Sequence, residues 1–232
     1  MKKYLFIILI ALVAMSACNS SGDKQAAEYE LSEDSLLISA SENTLPDENL
    51  GIINETGFSK YARISVPDLK WDKFTNTKFW EVDSIDKTVF DPEDNYFSSY
   101  GPFLKYSPDS SKFIDLDSYN ISITKNKKGQ FEGSSQEPDT EISIVDIKKK
   151  EKTRLLFLGP GNSVEDAAWI DNNNLVLIGY VENENASGTN AAVWQFDLVS
   201  KRVNLYELSD SAVINKLRNY SEIERLKNVK MR

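Results

Sequence analysis

Leu104-Lys105-Tyr106-Ser107-Pro108-Asp109 opens a phrase that closes at Ile142-Ser143-Ile144-Val145-Asp146. A second copy opens at Ala167-Ala168-Trp169-Ile170-Asp171 and closes at Val193-Trp194-Gln195-Phe196-Asp197. Each copy runs from an aromatic residue into a turn containing Asp. An apolar strand follows, then a loop, a second apolar strand ending in Asp, and a basic turn. Tyr106 and Trp169 lie 63 residues apart, and Asp146 and Asp197 lie 51 apart. The excess falls in Lys125 to Asp139, whose Lys, Gly, Ser and Gln content predicts a long inserted loop. Phe79-Trp80-Glu81-Val82-Asp83, followed by Lys87, is a third and weaker instance of the closing phrase.

Physically, the phrase describes a unit of about four antiparallel strands. Pro108 fixes φ, and Asp109 can accept hydrogen bonds from turn amides. The strand ending in Asp then pairs, across the basic hairpin, with Leu155-Leu156-Phe157-Leu158 or Val203-Asn204-Leu205-Tyr206. Trp169 and Trp194 fall at buried positions of this pattern, with Tyr106 and Ile144 as their expected counterparts. The class is all-β and mainly antiparallel.

The units resemble the blades of β-propellers of the TolB and WD40-like type, which carry a Tyr-Ser-Pro-Asp-Gly turn. Ser110 stands here in place of the Gly, and the second copy keeps only Asp171 of the turn. The resemblance implies propeller-like blades over residues 51–208. It leaves open a small or incomplete propeller, since 4–8 blades usually close a ring.

Upstream, Tyr61 to Val66 alternates Ala62, Ile64 and Val66 with Arg63 and Ser65, which predicts a strand ended by Pro67. Downstream, Val213, Ile214 and Leu217 recur at helical spacing. They predict a C-terminal helical segment over residues 209–232, running to about Lys230.

Met1 to Cys18 has the character of a targeting segment. Lys2 and Lys3 precede an unbroken apolar run, Tyr4 to Met15, too short to span a membrane comfortably. Met15-Ser16-Ala17-Cys18 resembles the lipobox of bacterial lipoproteins, with Met15 in place of the usual Leu. That resemblance implies removal of residues 1–17, acylation of Cys18, and a lipid anchor in the cell envelope. Asn19 lacks the Asp that favours inner-membrane retention in enteric lipoproteins, so the outer membrane is the expected address. Residues 18–50 are acidic and rich in Ser, Ala and Glu, and are expected to form a flexible tether.

The 232 residues are 41% hydrophobic and 11% aromatic, enough to bury a core. The net charge is −9. It becomes −11 without residues 1–17, with 25 Lys+Arg against 36 Asp+Glu, which disfavours nucleic-acid partners. Histidine is absent and Cys18 is the sole cysteine. Internal disulfides, histidine metal sites and histidine-based triads are thereby excluded.

No cofactor, metal or catalytic residue is assigned. Asp115-Leu116-Asp117 has alternating carboxylates but fails the EF-hand pattern, and solvated acids at a strand end are expected there. Trp71, Trp80, Trp169 and Trp194 could form a carbohydrate-stacking surface, though core positions suit them better. Gly159-Pro160-Gly161-Asn162-Ser163 is not a phosphate loop, since no Lys follows. The expected function is non-enzymatic binding or scaffolding of a protein or glycan ligand. Lys125 to Asp139 and Glu182 to Asn190 would supply the contacts. A glycan-binding or glycan-processing lipoprotein, or an immunity or inhibitor lipoprotein, is the alternative.

Overall fold

The computed structural model describes residues 43–232, apart from 82–86, 184–187, 210–213, 215, 218–219 and 221–223. Cys18, the lipobox and most of the expected tether lie outside the described residues.

Two five-stranded antiparallel sheets dominate. The first contains β9 (Ser163–Trp169), β10 (Asn174–Glu182), β11 (Thr189–Asp197) and β12 (Arg202–Leu208) as a continuous meander, with β1 (Thr75–Glu81) against β12. The second contains β3 (Lys105–Tyr106), β4 (Lys112–Asp115), β7 (Thr140–Asp146) and β8 (Glu151–Leu158), with β2 (Lys87–Val89) against β8. Both therefore have the same order: four meandering strands and one borrowed from earlier in the chain. The mainly antiparallel all-β class is as expected. Among the described residues there is no closed ring of blades.

The two meanders share a register. Tyr106 pairs with Phe113 as Trp169 pairs with Leu175, and Phe113 pairs with Val145 as Leu175 pairs with Phe196. Lys112 faces Asp146 as Asn174 faces Asp197. The hairpins that follow match too: Asp146 accepts from the Lys149 amide, and Asp197 from the Val199 and Ser200 amides. Four residues beyond each Asp, Lys150 and Lys201 adopt positive φ, at 52° and 57°. Ser110, standing where the resembled turn has Gly, also has a positive φ of 58°.

Equivalent faces point the same way. Phe113 and Val145 face outward from the second sheet, while their counterparts Leu175 and Phe196 face inward, towards that same sheet. The sheets are thus stacked head to tail. Ile114, Ile142 and Ile144 meet Trp169, Leu175, Leu177 and Trp194 between them. One expected pairing is off by a residue. The register places Ile144 with Gln195 and Trp194 with Ser143, and Tyr106 is 42% exposed where Trp169 is buried.

Helices cover the far face of the first sheet. These are α1 (Asp47–Glu55) and α2 (Gly57–Ser65), which place Ile53, Phe58 and Ala62 against Val176, Ile178 and Val193. The strand expected over Tyr61 to Val66 is therefore mostly helix. Ala62 and Val66 fit period two, but with Phe58 they also form an i, i+4 stripe, and all three are buried while Ile64 is 82% exposed. Thr56 caps α2, its hydroxyl accepting from the Ser59 amide at 3.0 Å. The helix α1 spans the boundary expected at Gly51, and Leu45 already belongs to the core. On the second sheet, α3 (Tyr96–Tyr100) contributes Tyr96 over Phe113 and Val145.

The expected loop at Lys125 to Asp139 is instead structured. Strands β5 (Ile121–Lys125) and β6 (Phe131–Ser135) form a hairpin around Asn126, whose side chain accepts from the Lys128 and Gln130 amides. The polar hairpin joins β13 (Val229–Met231), parallel to β6. The chain's end is thus a strand where the sequence predicts helix to Lys230. Phe79-Trp80-Glu81, expected to open the closing strand of a third unit, instead belongs to β1 at the edge of the first sheet, while Val82 and Asp83 lie outside the described residues.

Candidate functional site

Where the two large sheets meet, ionisable side chains are drawn together below the surface. In the strand β9, Glu165 and Asp166 stand between Val164 and the apolar run Ala167-Ala168-Trp169, and are 5% and 0% exposed. Asp166 Oδ2 accepts from the Phe58 amide at 3.0 Å and the Tyr220 hydroxyl at 3.3 Å. Its Oδ1 lies 2.8 Å from Lys105 Nζ of β3. Each large sheet thus supplies one member of this pair.

A second pair lies alongside. Arg225 Nη1 donates to Asp117 Oδ2 at 2.5 Å, and Arg225 Nε donates to the Glu165 carbonyl at 2.9 Å. Both side chains are nearly buried, at 7% and 3% exposure. Burial opposes the Arg225 charge, but Asp117, and then Asp166 and Glu165, outweigh it and hold the guanidinium more firmly protonated. Asp115 is buried too. It accepts from the Tyr96 hydroxyl at 2.6 Å, the amides of Asp117 and Ser118, and the Ser118 hydroxyl. Burial, with Asp115 beside it, pushes the Tyr96 phenol up; burial and Asp166 do the same for Tyr220. Both phenols are neutral donors at neutral pH.

The acids of Asp115-Leu116-Asp117 are therefore not solvated, as expected from sequence, but ion-paired or saturated with donors. Among the described residues no group of three or more Asp, Glu, His or Cys side chains is placed to hold a metal. The pairs border a cavity of about 310 Å³ lined by Pro102, Phe103, Leu104, Lys105, Tyr220 and Arg225. Glu141 forms a separate buried centre on β7, within 3.0 Å of Lys152 Nζ and Arg154 Nε. Burial raises its carboxyl, but Lys152, Ser143 and Arg154 together bring it below the usual range.

Surface acids serve the turns. The Asp109 carboxyl is lowered by the Ser111 amide and then by the Ser107 and Ser111 hydroxyls. Asp171 is lowered first by the Asn173 amide, and Asp197 first by the Ser200 hydroxyl. Trp71, Trp169 and Trp194 are buried, and Trp80 packs partly buried against the core between the sheets, so the four do not make an exposed stacking surface. Sequence reasoning missed Lys105, Glu141, Glu165, Asp166 and Arg225. A signal existed for one pair: Glu165-Asp166 interrupts the apolar residues Val164 and Ala167-Ala168-Trp169.

Comparisons with known proteins add one distant likeness. The chain is similar to an exo-β-D-glucosaminidase of Hypocrea virens, 25% identical over 118 residues. The match takes in 48% of this chain and 12% of that protein's length. No protein-family model matches the chain, and no solved structure matches it. No helix among the described residues is long and apolar enough to cross a membrane.

Proposed function

We propose that the chain is a bacterial envelope lipoprotein, anchored at the outer membrane through Cys18, that binds a partner without catalysing its conversion. In this reading the two large sheets are blade-like units, arrested as a pair by the helices and aromatic segment covering their outer faces. The shared register and head-to-tail facing support the blade reading. The order of basic start, apolar run, small residues and sole cysteine supports the anchor.

The observation that carries the binding reading is how the acids are used. A base at neutral pH, without histidine, needs a carboxylate, Lys or Tyr with a pKa moved towards 7. The surface carboxylates Asp109, Asp171 and Asp197 are moved the other way, and the phenols of Tyr96 and Tyr220 are moved up, further from 7. Fractionation and intact mass test the anchor. Wild-type protein is expected in the membrane fraction with an acylated Cys18 at its N-terminus, and Cys18→Ala protein is expected to lose the acyl mass. An unacylated N-terminus at another residue overturns the anchor.

A glycan-directed role is the second reading, favoured by the likeness to a glucosaminidase. Purified protein incubated with β-D-glucosaminides separates the two. Release of glucosamine that disappears on replacing a single Asp or Glu favours processing and overturns the binding reading. Retention on an immobilised glycan without turnover favours binding.

A further inference from the structure

We propose that the cavity at the junction of the two large sheets is a binding site for a small carboxylate ligand, held by Lys105 and Arg225. The proposal rests on the binding reading and names the ligand's chemical class. The cavity's volume, about 310 Å³, lies at the lower end of the range for small-molecule pockets, roughly 300–1,000 Å³. Pro102, Phe103 and Leu104 give it an apolar wall. Lys105, Tyr220 and Arg225 give it a polar one.

The donors on that wall are only partly used. Arg225 engages the Asp117 carboxylate through Nη1 and the Glu165 backbone carbonyl through Nε. Among the described residues Nη2 has no acceptor, although its guanidinium is almost wholly buried. Lys105 spends one ammonium hydrogen on Asp166 and keeps its side chain 33% exposed. Each cation is thus held by a buried acid, lines the cavity and has N–H groups to spare. Such fixing lowers the ordering cost of binding, and a planar guanidinium suits a planar carboxylate. Asp166 and Asp117 offset the two cations and the buried Glu165 adds a further negative charge beside Arg225, so recognition comes from directed donors and not from net attraction. A carboxylate offers acceptors only, which these donors require.

The carboxylate could belong to a sugar acid or to a simple organic acid. Full-length protein is titrated calorimetrically with D-glucuronate, acetate, D-glucose and D-glucosamine. Saturable binding of glucuronate, with glucose at least about tenfold weaker, is the expected result. Acetate binding as well as glucuronate assigns a free carboxylate, while glucuronate alone assigns an acidic sugar. Lys105→Gln is expected to abolish binding, but it also removes the cation facing Asp166. Pro102→Trp is therefore the second variant: residue 102 is exposed, and an indole there closes the cavity with both ion pairs intact. It is expected to keep the fold and lose the glucuronate signal. Glucosamine or glucose binding as well as glucuronate, binding unaffected by Pro102→Trp, or no binding by any probe overturns the site. Binding of a larger partner in the same preparation would leave the binding reading standing after such a failure.

Discussion

Lys105 and Asp166, from different sheets and 61 positions apart in the chain, meet at 2.8 Å, with the carboxylate wholly buried. Replacing Lys105 by Met leaves Asp166 without its cation, although the Phe58 amide and Tyr220 hydroxyl remain. A loss of roughly 3 kcal/mol is expected, since breaking a buried pair from one side strands the other charge. Asp166→Asn should cost less, because Lys105 can turn its ammonium to solvent. Urea denaturation of both variants checks the order.

Gly179 sits where the β9–β10 register shifts, and a Cβ there would lie 1.9 Å from the Ser163 carbonyl oxygen. Backbone cannot rotate aside, so Gly179→Ala should cost about 3 kcal/mol or more. Gly51 in α1 meets nothing within 4 Å. Gly51→Ala should stabilise by roughly 0.4–1 kcal/mol. Opposite shifts of the thermal midpoint are the expected outcome.

Trp169 is buried between the sheets, and its indole N–H donates to the Lys105 carbonyl at 2.8 Å. Trp169→Ala should cost roughly 3–5 kcal/mol. Its counterpart Tyr106 is half-exposed, and Tyr106→Ala should cost less than about half as much. Equal losses would mean that the two sheets are covered to the same degree.

Acid should destabilise the protein in a defined window. The carboxyls of Glu141, Asp146, Asp171 and Asp197 are all lowered in the folded state. A lowered carboxyl stabilises above its unfolded pKa of about 4, and that contribution vanishes as pH falls through the folded value. Stability is expected to hold between about pH 7 and 5 and to fall below about pH 4. Glu141→Gln should lower stability at neutral pH and flatten the acid limb, as read from chemical denaturation across pH.

The sequence carried the two meanders because their signals are local: alternation, an Asp turn, and a basic hairpin closed by Lys150 or Lys201. It misled at Tyr61 to Val66, where Ala62 and Val66 satisfy both the strand and helix periods, and only the sheet beneath decides. It misled again at Lys125 to Asp139. A polar segment looks like a loop until a distant strand, Val229–Met231, gives it a partner. The ionic junction was largely illegible for the same reason. Arg225 and Asp117 are 108 positions apart, and nothing near either one announces the other. Glu165-Asp166, set between Val164 and Ala167-Ala168-Trp169, was the readable part.

The strand β1 finishes a sheet whose other strands are made much later. Thr75 pairs with Glu207, so this edge must wait through more than a hundred residues of synthesis before its partner exists. Until then Trp80 has no core to pack against, and such delayed closure slows folding and leaves the chain open to wrong associations. A chain truncated before Arg202 would be left with that edge permanently unmated. The strand β12 therefore acts as a completion signal: the first sheet is sealed only once Arg202–Leu208 has been made.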